Sequence, residues 1–169
     1  MNRVKGWMVW LRRITRCRGF GIQSPTDYGF VRYVINEHWP YYAYSRLRDD
    51  DWLTRKLGRL YFRLANWKQP SAMLPDRYQE WWLAGCQKVR FVEHADRIEL
   101  ARMDIEDDDS ILDRCDEQSV LVVEGIWRDW ERWHRIEQDE RTAVTFDLYY
   151  CGIVFFNKKR YKHHYLINF

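Results

Sequence analysis

The chain has no C-x-x-C pair, no long apolar run, no phosphate-binding Walker loop and no internal repeat. Its four cysteines, Cys17, Cys86, Cys115 and Cys151, are scattered. That scatter offers neither the clustered thiols of a structural zinc site nor the disulfide framework of a small secreted domain. Buried free thiols in a reducing compartment are expected instead. His163 and His164 are neighbours, but in a strand they would point to opposite faces, so no metal site is expected. No apolar run approaches the roughly 20 residues that a membrane span needs. The basic N-terminus carries only the short apolar stretch from Trp7 to Leu11, too little for a signal peptide, and the expected location is the cytoplasm. The His and Cys residues lack any context that would mark a nucleophilic dyad or triad. The four prolines, Pro25, Pro40, Pro70 and Pro75, each read as an element boundary rather than as part of a proline-rich segment.

What is present suits one domain, or one domain with an arm: 169 residues, 46% hydrophobic, enough to bury a core without staples. Ten tryptophans are among the aromatic 17% of residues, which implies a bulky core or an aromatic contact surface, with self-association as one consequence. Charge is unevenly spread. Residues 1–68 hold 14 Lys/Arg against 5 Asp/Glu, net +9, whereas residues 69–169 hold 14 against 20, net −6. This asymmetry fits either a basic arm for an anionic partner or attraction between the two halves, and the second is favoured.

Hydrophobic spacing predicts an amphipathic helix over residues 4–16, with Val4, Trp7, Met8, Leu11 and Ile14 on one face and Lys5, Arg12 and Arg16 opposite. Docking onto the rest of the protein or a second copy is favoured for it. A membrane surface or nucleic acid is the alternative use of residues 3–18. Ser24, Pro25 and Asp27 are N-cap, N1 and N3 of a second helix running to about Asn36 and burying Tyr28, Val31 and Ile35. An aromatic cluster, Tyr41, Tyr42 and Tyr44, follows; packing beneath a helical arm is preferred for it over stacking a ring ligand. Asp49 to Asp51 precede a helix with an apolar face of Leu53, Leu57, Leu60, Tyr61 and Leu64 and, mostly off it, a basic stripe of Arg55, Lys56, Arg59 and Arg63; the stripe is a nucleic-acid candidate, but a solvated face is the expected explanation. Beyond Pro70, strands are expected at Ala72–Leu74, Val89–Glu93, Ile98–Met103 and Val120–Val123. Helices are expected at 76–83 and 127–138, and further strands at Ala143–Leu148, Cys151–Phe156 and Tyr165–Phe169. Alternating strands and helices followed by consecutive strands imply a mainly parallel α/β sheet with an antiparallel C-terminal strand, preceded by an N-terminal helical region. The expected division is residues 1–68 and residues 69–169.

Several segments resemble a bacterial family of class I SAM-dependent methyltransferase-like proteins. They are Phe20-Gly21-Ile22-Gln23-Ser24-Pro25, Val34-Ile35-Asn36-Glu37 and Pro40-Tyr41-Tyr42-Ala43-Tyr44 near the start, then Leu60 to Asn66, and the hairpin-like Thr145 to Phe156. The resemblance implies a Rossmann-like sheet and, by family membership, SAM as cofactor. In that family a glycine-rich turn after the first strand lets the backbone approach the cofactor. This chain has Leu74-Pro75-Asp76-Arg77-Tyr78 there, with no glycine. Glu93 ends the second strand, where such folds hold ribose hydroxyls, and is the cofactor-binding candidate. Glu124, after the Val120–Val123 strand, is the catalytic candidate as general base, with Asp104 a neighbour if the preceding strand forms. The segment between Met103 and Val120 is short for the family. The expectation is a shortened, degenerate member, a binding or scaffold module with no cofactor; an active enzyme with an atypical SAM site is the alternative.

Overall fold

A computed structural model describes residues 3–16, 19–47 and 51–169, with side chains from Trp7 onward. Cys17, Asp49 and Asp50 lie outside the described residues. The chain is α/β and forms two compact units. One is helical and comprises Met1–Ser71, Pro75–Arg90 and Phe169; the other carries the main sheet and comprises Ala72–Leu74 and Phe91–Asn168. The helix after Pro75 therefore groups with the N-terminal helices, a division that a single boundary after residue 68 does not make.

The helical unit begins with α1 (Arg3–Arg12) and a 3-10 turn, Ile14–Arg16. Next comes α2 (Pro25–Phe30), capped by Ser24, whose Oγ accepts the Asp27 N–H at 3.3 Å. It runs on as a π-helical turn, Val31–Ile35, closed by the Asn36 N–H donating to the Val31 carbonyl at 2.9 Å. Phe30, Val31, Val34 and Ile35 are buried as a stripe. Tyr28, expected inside, is exposed: it falls off that stripe and lies over Gly19 instead.

A short helix α3 (Ala43–Arg46) leads to α4 (Trp52–Lys68). Asp51 caps α4, accepting the Thr54 N–H at 2.7 Å. Its apolar face buries Leu57, Leu60, Tyr61 and Leu64 as the spacing predicts. Gln69 ends the helix in the left-handed region at φ 53°. Helix α5 (Gln79–Gly85) crosses α4 so closely that a Cβ at Gly85 would lie within 3.0 Å of the Phe62 carbonyl.

The sheet unit is built on five strands: β3 (Ile98–Asp104), β4 (Cys115–Glu124), β5 (Val144–Asp147), β6 (Cys151–Phe155) and β7 (His163–Leu166). The shorter strands β1 (Ala72–Met73) and β2 (Arg90–Phe91) pair separately, with the Val92 N–H donating to the Met73 carbonyl at 3.0 Å. The main sheet has the order β3-β4-β6-β5-β7. β3 runs parallel to β4, and β5 parallel to β7. β6 is antiparallel to both its neighbours, β4 and β5.

The reversed strand is thus β6, in the middle of the sheet, and not the C-terminal strand. The cause is local. Asp147 accepts the Tyr149 N–H at 2.7 Å, and Tyr149 takes φ 71°, so the chain turns back at once into β6. The chain then returns on the far side of β5, and β7 runs parallel to it. Helix α6 (Trp130–Gln138), capped by Asp129 at 2.9 Å from the Arg132 N–H, covers the sheet with Trp133 and Ile136. These residues pack with Ala101, Met103, Leu121, Val123 and Val154 in a single apolar cluster.

Candidate functional site

The C-terminal ends of parallel strands are where open α/β sheets place ligands. In the sheet unit this position is the junction of β3 and β4, where Asp104 and Glu124 are direct register partners. The strand needed to bring Asp104 beside Glu124 is therefore present. Between β3 and β4 the chain makes a tight turn and a 3-10 helix, Asp109–Arg114, with no additional strand.

Both carboxylates are engaged by arginines. Glu124 is 5% exposed, and the Arg102 Nη1 stands 3.4 Å from its Oε2. Arg102 projects to the same face as Asp104, two residues further along the strand. Arg128 bridges Asp104 and Glu106, with Nη1 at 3.1 Å from the Glu106 Oε1. Gly125 makes this reach available. Its φ of 81° turns the chain out of β4, and the Arg128 guanidinium occupies the space where a Cβ would stand. The Gly125 N–H donates to the Tyr150 carbonyl at 2.8 Å, which ties the turn to the β5–β6 hairpin. Arg132 extends the network to Asp109 at 2.7 Å.

Electrostatics fit anchoring rather than proton transfer. Burial alone would raise the Asp104 carboxyl, but the Arg128 hydrogen bond and charge and the Glu106 N–H hold it below the usual carboxylate range. It stays ionised at neutral pH and is a poor general acid or base.

Glu93 is placed differently. β2 ends at Phe91, two residues short of the expected strand, and Glu93 sits exposed in the bend that follows. Among the described residues it makes no hydrogen bond or ion pair.

The segment without glycine is filled by the chain's own side chains. Asp76 accepts the Tyr78 N–H at 2.6 Å and the Trp82 Nε1–H at 3.0 Å. The Tyr78 ring meets Tyr61 edge-on at 4.6 Å, and Trp82 stacks on Tyr61 at 4.7 Å. All three rings are buried.

Sequence reasoning singled out the Tyr41–Tyr44 cluster and the α4 basic stripe separately, and missed that they share one cavity. A cleft of about 840 Å³ within the helical unit is lined by both, together with Trp39, Trp52 and Phe169. Tyr41 and Tyr44 also pack against Phe62 of α4, at 4.8 and 5.3 Å. Burial and a hydrogen bond to Glu37 push the Tyr41 phenol up to about 12, so it remains a donor, at 2.9 Å from Glu37. Among the described residues no group of His, Cys, Asp and Glu side chains could hold a metal ion.

No protein-family model, curated protein or solved structure matches this chain. Function therefore rests on the geometry and on the residues themselves.

Proposed function

We propose that the protein is a degenerate, Rossmann-like member of the SAM-dependent methyltransferase-like proteins, working as a non-catalytic binding or scaffold module. The observation that carries this reading is the Leu74–Tyr78 segment. A cofactor turn must present bare backbone N–H groups to the ligand. Here Pro75 supplies none, Asp76 takes up the Tyr78 N–H, and the Tyr78 and Trp82 rings are buried against Tyr61. Glu93 in solvent and Glu124 beside Arg102 add support, since neither is poised for the role its position would have in an active enzyme.

The test is ligand-induced stabilisation. A site with a Kd near 10 μM would stabilise the fold by about 2.7 kcal/mol at 1 mM SAM, raising Tm by several degrees. We expect no shift from SAM in differential scanning fluorimetry and no heat in calorimetric titration. Micromolar binding would overturn the proposal and restore the active-enzyme alternative.

A second reading is favoured by one observation on α1. Trp7, Met8, Trp10 and Leu11 of α1, with Ile14 in the 3-10 turn that follows, form an apolar face, and all are exposed, Trp7 by 65%. No described helix is long and apolar enough to cross a membrane, but a basic Trp-bearing helix suits the surface of one. Residues 1–26 contain six Lys/Arg and no Asp or Glu. The protein should co-sediment with vesicles containing phosphatidylglycerol and be released by high salt. Replacing Trp7 and Trp10 with Ala should abolish retention, and undiminished retention of that variant would eliminate α1 as the anchor.

A further inference from the structure

We infer that the cleft in the helical unit binds a nucleotide, a ligand joining a planar ring to a phosphate chain. This inference is independent of the reading above and would hold equally for an active enzyme. Three observations lead to it. The first is charge. Arg55, Lys56 and Arg59 line the cleft beside Arg63, whose donors are held by Val34, Ile35 and Tyr44, and Glu37 is the single acidic side chain among the described lining residues. Even with a carboxylate at Phe169 counted, cations predominate. Glu37 is engaged by the Tyr41 hydroxyl, so its charge does not face the arginines alone. Arg59 lies four positions after Arg55 and three after Lys56 on α4, which sets the three on one side of that helix.

The second observation is the rings. Tyr41 and Tyr44 are packed, but Trp39 is 71% exposed and Tyr42 93% exposed, both on the cleft lining. Exposed rings beside a basic stripe are the arrangement on which bases stack while phosphates meet cations. Aromatic contacts already used by the chain show the same chemistry: the Arg59 guanidinium lies 5.1 Å from the Tyr44 ring, and Lys56 lies 4.3 Å from the Phe169 ring.

The third observation is size. About 840 Å³ lies within the range of small-molecule sites and exceeds what an inorganic anion would need. SAM is a poor candidate for this cleft despite its base, because its sulfonium would meet like charge.

The same chemistry could come from a free nucleotide or from a single-stranded oligonucleotide; a cleft of this size fits the first. The experiment is calorimetric titration of the full chain with ATP, inorganic pyrophosphate and a short single-stranded oligonucleotide. ATP should bind, weaken as salt is raised, and bind at least about tenfold more tightly than pyrophosphate. Arg59→Glu and Tyr42→Ala alter exposed side chains and should keep the circular dichroism spectrum of the parent. Each should weaken ATP binding at least about tenfold, by charge and by stacking respectively. Absence of ATP binding at millimolar concentration, equal affinity for pyrophosphate, or unchanged affinity in both variants would overturn the inference. So would an oligonucleotide that binds and is not displaced by ATP.

Discussion

Gly152→Ala should destabilise the fold by about 3 kcal/mol, the upper end of the usual cost of overpacking, and Gly152→Val by more. Gly152 is the second residue of β6, paired with Val123 on one side and Asp147 on the other. The Trp133 ring of α6 lies directly on it, and a Cβ would sit within 3.0 Å of three ring atoms. Neither partner can give way cheaply. Gly152 is held by the central ladder, and Trp133 is fully buried among the residues that join α6 to the sheet. In a domain of this length a loss of 3 kcal/mol lowers Tm by about 6–12 °C. The mechanism makes a sharper demand. Trp133→Phe removes the part of the ring that collides, and among the described residues the Trp133 indole N–H has no acceptor to lose. The double variant Gly152→Ala with Trp133→Phe should therefore be more stable than the two single losses added together. Simple additivity in thermal or urea unfolding would mean that the damage arises from strand geometry and not from the ring.

This contact also marks where local pattern stops being informative. The caps Ser24 and Asp51, the buried face of α4, and the strands β3 and β4 follow from near neighbours in the sequence. Each depends on turn chemistry or spacing within a few residues and forms at its signal, although β4 begins at Cys115, ahead of the expected Val120–Val123 run. The hairpin over Thr145 to Phe156 was expected from the family resemblance alone, not from turn chemistry at Tyr149. What lay beyond reach was the insertion of β6 between β4 and β5, because strand order depends on which hydrophobic faces meet at long range. Glu93 illustrates the same limit at the level of a site. An apolar run ending in an acid suggested a strand-end carboxylate, but β2 has only two residues in its ladder, and nothing there orients the side chain. Asp104 was expected beside Glu124 only if the strand before it formed; it forms, and the two are register partners. Their arginines were not anticipated, since Arg128 reaches Asp104 only because Gly125 leaves room for it.

Arg63 was the least legible of the important residues, and its removal should have the other large effect. It was read as part of a basic stripe on a solvated face of α4. It is instead 7% exposed and directed into the helical unit. Its Nε donates to the Val34 carbonyl at 2.6 Å, its Nη2 to the Ile35 carbonyl at 2.9 Å, and its Nη1 to the Tyr44 hydroxyl at 3.3 Å. The carbonyls at the end of a helix have no partner within it, and those of Val34 and Ile35 belong to residues buried with the π-helical turn. The guanidinium fork supplies both. Arg63→Met keeps most of the volume and leaves these two acceptors unpaired, at about 1–3 kcal/mol for each. A total loss of about 3 kcal/mol is expected, read as a lower urea midpoint at unchanged slope. Arg63→Lys should recover only part of it, because one ammonium cannot reproduce a planar fork across two carbonyls. Hydrogen exchange offers a local check. Amides of residues 31–36 should lose protection in Arg63→Met ahead of those in β4 and β6, since the damage begins at the π-helical turn. A loss below about 1 kcal/mol, with protection unchanged at residues 31–36, would mean that water satisfies the two carbonyls and that Arg63 is dispensable to the fold.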